Sequence, residues 1–473
     1  MEIVEAIAKM NKIVLGGLLI CSLFFVSCKN DSKAKTIDTD KEKIVKNEFG
    51  LPAWAKSANI YEVNIRQYTP EGTFNAFATH LPRLKKMGVD ILWLMPIFPI
   101  SEAKRKGELG SYYAVSDFRE VNPEFGTMSD MESLITAAHN LDMKIILDWV
   151  PNHTGWDHVW LKDHKDYYTQ DSLGNVIDPI DPGTGKSWGW TDVADLNYDN
   201  KEMRAEMIND LLMWVNEKGT DGFRFDVAHN VPNDFWEDAK SQILAADGEQ
   251  FLLAEAEIAE QMNSELFHMA YGWEFHHIIN DIAKGEKNVT AIDEWLTKDA
   301  KEYKKGIKMH FTSNHDENSW AGTVFERMKD SHLAFAVLTA TFDGMPLIYG
   351  GQEEPLDKRL EFFEKDDIGF KNYKYADFYT KLNTLKHDNK ALWNGPHGGT
   401  LTKLADHEKV YAFSRKKNNN EVIVIINLSD SKQSLKLSKD IKGMTELFTD
   451  KKEDVKAGET LEMTPWQYKV YSK

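Results

Sequence analysis

Between residues 59 and 351 the chain alternates short apolar runs with amphipathic stretches, a repetition that limits its fold more than any other feature. The runs are NIYEVNI (59–65), VDILWLMPI (89–97), KIILDWV (144–150), DGFRFDV (221–227), FLLAE (251–255), YGWEF (271–275), KMHFTSN (308–314) and MPLIYGG (345–351). Intervening stretches such as 76–88, 128–142 and 201–219 carry apolar residues three and four apart, and two of them end at a Gly. Strands separated by helices run parallel, and eight such units predict a closed (β/α)8 TIM barrel of the α/β class.

One connection is too long for an ordinary barrel loop. Residues 152–196, rich in Asp and Gly and containing Trp156, Trp160, Trp188 and Trp190, are expected to form a small inserted domain after the third strand. The barrel then occupies 51–151 and 197–391. Beyond 392 the pattern turns to short alternating runs (401–404, 409–415, 421–428, 434–438 and 467–472), with Asn418, Asn419 and Asn420 as a turn. Residues 392–473 therefore read as a separate antiparallel β-sandwich.

The N-terminus reads as an address. Residues 13–26, IVLGGLLICSLFFV, are short for a membrane span but suit a signal-peptide core behind Lys12, and Met10 makes a more ordinary start than Met1. The run closes on Phe25, Val26, Ser27 and Cys28, which resembles a bacterial lipobox, so 1–28 is expected to be a lipoprotein signal with Cys28 lipidated. Polar residues 29–50 follow as a tether. With Cys21 inside the signal, no disulfide is expected, and the protein is placed outside the cytoplasm on a bacterial membrane, held by lipid alone. A net charge of −18 repels phosphate backbones, which excludes nucleic acid as a partner. Aromatic residues reach 11%, and flat rings at a surface are what sugar faces stack on. Oligomeric state is not legible.

Chemistry is expected where barrel strands end. There the chain carries Asp148, Asn152 and His153 after the third strand, Arg224 and Asp226 on the fourth, Glu255 on the fifth, and His315 and Asp316 after the seventh. Two carboxylates flanking a bond, one ionised and one protonated, are the equipment of a retaining glycosidase, about 5 to 5.5 Å apart. Arg224, two residues before Asp226, shares its strand face and is expected to keep it ionised. The apolar run before Glu255 is expected to raise its pKa toward that of a general acid. Salt bridges could explain any one of these residues but not the set. No His-x-x-x-His or Glu-x-x-His spacing supports a zinc or iron site.

In order and spacing these segments resemble the characteristic regions of the α-amylase family of glycoside hydrolases, family 13. Residues 148–153 resemble its D-x-x-x-N-H region, 222–226 its G-x-R-x-D region, Glu255 its lone acid, and 311–316 its F-x-x-N-H-D region. Residues 88–96, Asp195 to Asn197 and 344–351 match further family segments, and the likeness runs from about residue 55 to the C-terminus. The resemblance implies Asp226 as nucleophile, Glu255 as acid/base, preferred to nearby Glu257, and Asp316 as transition-state stabiliser. Tyr113 aligns with the Tyr under the sugar being cleaved, with Asp148, His153, Arg224 and His315 binding substrate. The family pattern is broken in two places: Val227, Ala228, His229 and Asn230 replace a Lys-His pair that links to calcium, and residues 67–77 lack a calcium loop. The chemistry needs no cofactor. A structural calcium at Asn152 is one expectation. With some twenty residues between Cys28 and the barrel, the N-terminal β-domain typical of neopullulanases and cyclomaltodextrinases is expected to be missing.

The expected function is hydrolysis, with retention, of α-1,4 bonds in starch-like glucans or malto-oligosaccharides. Transglycosylation through the same intermediate, α-1,6 action, and an inactive starch-binding protein are the alternatives.

Overall fold

The computed structural model describes residues 50–473 except 182, 246 and 247. The signal, Cys28 and all of the tether but Gly50 lie outside the described residues. Among the described residues no helix is long and apolar enough to cross a membrane.

Eight parallel strands close into a barrel: β1 (Ile60–Val63), β2 (Ile91–Leu94), β3 (Lys144–Trp149), β6 (Gly222–Phe225), β7 (Phe251–Ala254), β8 (Met269–Tyr271), β9 (Ile307–His310) and β10 (Met345–Tyr349). They neighbour one another in that order and β10 pairs with β1, Leu347 opposite Ile60. Nearly every strand residue is buried, because helices cover the outside while side chains fill the inside. Period two sorts them. Ile60, Ile91, Trp93, Ile146, Leu253 and Leu347 belong to the inner core, whereas Tyr61, Leu92, Ile145, Phe223 and Leu252 pack outward against helices such as Met128–His139 and Lys201–Asn216. On three of the strands the inward positions turn from apolar to charged on ascending: Ile60 to Glu62, Ile146 to Asp148, Leu253 to Glu255.

The sixth strand differs from expectation. It spans Met269–Tyr271 and stops at Gly272, while Trp273–Lys284 is a helix. Phe275, Ile278, Ile279 and Ile282 are buried along one face of that helix, so the spacing after Gly272 is helical and only its first aromatics imitate a strand.

After β3 the inserted segment pairs β4 (His153–Gly155) antiparallel with β5 (Val193–Asp195) around a short helix, Val159–Asp163. The C-terminal part contains β11 (Thr400–Lys403), β12 (Val410–Lys417), β13 (Asn420–Asn427), β14 (Gln433–Lys436), β15 (Ile441–Glu446), β16 (Lys452–Val455), β17 (Thr460–Met463) and β18 (Tyr468–Ser472). Six form an antiparallel sheet ordered β11-β12-β13-β18-β15-β16, and β14 pairs with β17 in a second layer. Strands β15, β16 and β17 were not expected; they are mostly polar and half exposed, so they lack an apolar alternation. Asn420 opens β13, which leaves Asn418 and Asn419 as the turn, Asn418 with φ 53°. Tyr411, Phe413 and Val424 pack on Phe335, Leu338 and Phe342 of the barrel, and Val410, Ala412 and Ile425 meet Leu435 and Met463 of the second layer.

Gly222 sits at the foot of β6 with φ 150°, and a Cβ there would lie 2.0 Å from the Phe251 carbonyl oxygen. Gly222→Ala is therefore expected to lower the melting temperature by about 5 °C or more, followed by circular dichroism. An unchanged midpoint would show that β6 and β7 do not meet in this register.

Candidate active site

Arg224 is the centre of the charged layer at the barrel mouth. It is fully buried. Its Nη1 lies 2.8 Å from Asp148 Oδ1 and 2.9 Å from Asp226 Oδ1, its Nη2 lies 2.9 Å from Glu255 Oε2, and its Nε donates to Tyr271 Oη at 3.2 Å. Adjacent strands make this possible, for β3, β6 and β7 turn the three carboxylates inward, Asp148 in register with Arg224 and the other two one pleat above it. Asp148 also accepts from Trp93 Nε1 at 3.1 Å and Tyr113 Oη at 3.0 Å. Glu255 accepts from the Val227 backbone N–H at 2.9 Å. Val227 adopts φ 46° and ψ 40°, a left-handed conformation that costs a β-branched residue about 1–3 kcal/mol and here aims its N–H at the acid.

A second cation stands beside the first. His315 Nδ1 lies 2.6 Å from Glu62 Oε1, while Nε2 lies 2.9 Å from Tyr113 Oη and 3.3 Å from Asp316 Oδ2. Burial opposes charge on this ring, but Asp316 and Glu62 outweigh it and raise its pKa to about 9. An imidazolium fits the contacts, donating through Nδ1 to Glu62 and through Nε2 to Tyr113, which in turn donates to Asp148.

Glu62, Asp148, Asp226, Glu255 and Asp316 thus face only Arg224 and His315. Five carboxylates against two cations cannot all ionise in a buried site. Burial raises all five above the ordinary carboxylate range; Arg224 pulls against the rise at each, and His315 does so at Glu62, Asp148, Glu255 and Asp316. For Glu255 this is the expected direction. For Asp226 it is not: burial outweighs the opposing pull of Arg224 and of a hydrogen bond to Glu255. His153 moves the other way, to about 4, because burial disfavours its cation, so it stands neutral.

Tyr113, His153, Asp226, Glu255, His315 and Asp316 line one cleft of about 350 Å³. Asp148 and Arg224 do not line it but touch its Tyr113, Asp148 at the hydroxyl and Arg224 at the ring face. Glu257 is turned away, bound to Lys308 Nζ at 2.8 Å and to the Glu274 N–H at 2.8 Å. Asn152 is buried, with its amide Nδ2 3.2 Å from His153 Nδ1. Among the described residues no group of three His, Cys, Asp or Glu side chains is placed to hold a metal ion. A larger groove of about 600 Å³, between the end of helix Trp273–Lys284 and Trp466, contains none of these groups.

Sequence reasoning passed over Glu62, Trp93 and Tyr271, although Glu62 is the one charge in an apolar run and obeys the same strand-end rule. It also passed over Lys106, Asp192, Trp320, Phe362 and Phe363, which line the cleft from loops.

A barrel whose mouth gathers this set of carboxylates around one arginine carries the equipment that a glycoside hydrolase uses. Residues 30–392 match the family described as "Alpha amylase, catalytic domain" and 410–467 match "Alpha-amylase SusG C-terminal domain", so the chain belongs to the α-amylase family. It is 26% identical over 419 residues to α-amylase MalA of Haloarcula japonica, covering 83% of this chain and 58% of that protein. It is 25% identical over 372 residues to trehalose-6-phosphate hydrolase of Bacillus subtilis, covering 63% of this chain and 64% of that one. The chain therefore spans about three-fifths of the length of these curated relatives. A noncanonic maltogenic α-amylase, AmyB of Thermotoga neapolitana, superposes with a TM-score of 0.78 at 27% identity, over 88% of this chain and 98% of that one.

Because the pKa of His315 is raised in the fold, its charge stabilises the protein fully below about pH 6.5, and that contribution is lost as pH rises through about 9. His315→Asn is expected to lose about 3 kcal/mol more stability at pH 6 than at pH 10, read from urea unfolding of both proteins. A difference that does not vary with pH refutes the imidazolium.

Proposed function

We propose that the chain hydrolyses α-1,4-linked glucans with retention of anomeric configuration. The carrying observation is that one guanidinium holds both Asp226 and Glu255, each at 2.9 Å. The two carboxyls are also hydrogen-bonded to each other, and so close a pair leaves no room for the water that an inverting enzyme keeps between groups roughly 6.5–9.5 Å apart. Asp226 is the nucleophile. Its oxygen attacks the anomeric carbon while Glu255, kept protonated by burial, gives its proton to the departing glycosidic oxygen. The product is a β-glucosyl ester on Asp226 and a free sugar. Glu255, now a carboxylate, takes a proton from water as its oxygen attacks the same carbon, breaking the ester bond, freeing the Asp226 carboxylate and returning the α-anomer. Asp316 and His315 bind ring hydroxyls, His153 offers a neutral donor, and the Tyr113 ring lies under the sugar. Positive charge on the glucosyl cation forms in a layer already rich in carboxylates, which lowers the barrier without reorganising them.

Asp226→Asn is expected to lower kcat on maltoheptaose by about 10⁴-fold or more with an unchanged circular dichroism spectrum. Proton NMR of the wild-type reaction should show the α-anomer first. Early appearance of the β-anomer, or full activity of the variant, sinks the assignment; products longer than the substrate would assign a transglycosylase instead.

Its address is proposed from the sequence: acylation at Cys28 holds the enzyme on a membrane outside the cytoplasm. Cys28→Ser should move it from the detergent phase to the aqueous phase on phase partition, and an unchanged distribution refutes the anchor.

A further inference from the structure

Residues 101–110, which follow β2 and lead into Tyr113, are fastened to both walls of the cleft. Toward the inserted segment, Lys106 Nζ pairs with Asp192 Oδ1 at 2.7 Å and donates to the Gly189 carbonyl at 3.2 Å. The Glu102 and Ala103 N–H groups donate to Asp157 at 2.9 and 3.1 Å. Toward the loop after β10, the Leu109 N–H donates to the Phe363 carbonyl at 3.0 Å and the Glu108 N–H to Glu364 at 2.9 Å. A Cβ on Gly107 would stand 2.4 Å from Phe363 Cβ, so the two backbones are in contact. The segment is a strap across the mouth.

The order of the strands says which end it crosses. Glu255, which protonates the leaving oxygen, stands on β7, and the leaving sugar must lie beside it, near the Val227 turn. The strap, Tyr113 and the loop after β10 belong to β2 and β10, the neighbours of β1 on the far side of the barrel. The transferred glucosyl unit rests on Tyr113, and units linked to its non-reducing side run toward the strap. Inside that end stands Trp320, 56% exposed and packed against Phe362 with ring centres 5.3 Å apart, while Phe362 stacks on Tyr113 at 6.3 Å and 11°. It projects from a π-helical turn, Glu317–Ala321, that begins directly after Asp316. An exposed indole continuing the Tyr113 platform is a surface for one further sugar face. The cleft, about 350 Å³, is at the small end of ligand sites.

We infer that the strap, latched by Lys106 to Asp192, ends the cleft on the non-reducing side, so that the enzyme removes units of one or two glucoses from chain ends. This rests on the glucan-hydrolase reading above and specifies its substrate end. Lys106 and Asp192 are specificity residues, not catalytic ones.

The test compares p-nitrophenyl maltoheptaoside with the same compound capped by a 4,6-ethylidene group on its non-reducing glucose. Wild type is expected to cleave the capped substrate at least 100-fold more slowly. Lys106→Ala, which removes the latch at a half-buried position, should bring that ratio to within 10-fold and lengthen the first products from amylose, while Lys106→Arg should restore the wild-type ratio. Equal wild-type rates on both substrates overturn the inference, as does a ratio that Lys106→Ala leaves unmoved. Cleavage of neither substrate refutes the glucan-hydrolase reading and this one with it.

Discussion

A guanidinium buried without partners would cost many kilocalories per mole, and the upper part of this barrel is arranged around that fact. Arg224 lies on a strand flanked by two others, and the strands on either side bring Asp148 and Glu255 to it while its own strand brings Asp226. Register fixes this. A slip of one residue in β3 or β7 would turn a carboxylate outward among the helices and leave the arginine unmatched. The apolar layer below, with Gly222 making room for the Phe251 backbone, supports that register.

Partnering Arg224 creates a second condition. Three carboxylates answer one cation, and Glu62 and Asp316 add two more against His315 alone. The surplus is held in check by retained protons, which is why burial lifts every acid in the layer. In the proposed reaction the surplus becomes useful, because a sugar cation entering it supplies part of the missing positive charge. Val227 shows the same economy of placement: its strained backbone is held by the strand below it and directs one N–H to Glu255.

How far the sequence discloses this depends on which forces place each residue. Barrel strands are legible because both their faces are buried, so every one is an apolar run, and the residues at their upper ends stand out as polar exceptions. Asp148, Arg224, Asp226, Glu255, His315 and Asp316 are found in this way, and Glu62 was within reach of the same rule. The sixth strand misleads because Trp273 and Phe275 suit strand and helix alike until Ile278 and Ile282 reveal the longer period. Strands β15 to β17 are held by pairing with neighbours more than by a buried face, which leaves little trace in side-chain pattern. Lys106, Asp192 and Trp320 come together only through the closure of the barrel, from loops whose own residues carry no periodic signal.

The last sheet has a bearing on how this molecule comes apart. Arg415, buried on β12, donates to the Phe342 carbonyl at 2.6 Å and to Asp343 at 3.0 Å, immediately before the strand that joins the ring's two ends. Phe335, Leu338 and Phe342 lie beneath the same sheet. Cutting the chain near residue 395 would not yield a self-sufficient catalytic half. It would bare an oily flank beside the seam, so heat should undo ring and sheet in one step, and exchange of this sheet with a foreign one would have to reproduce the arginine as well as the shape.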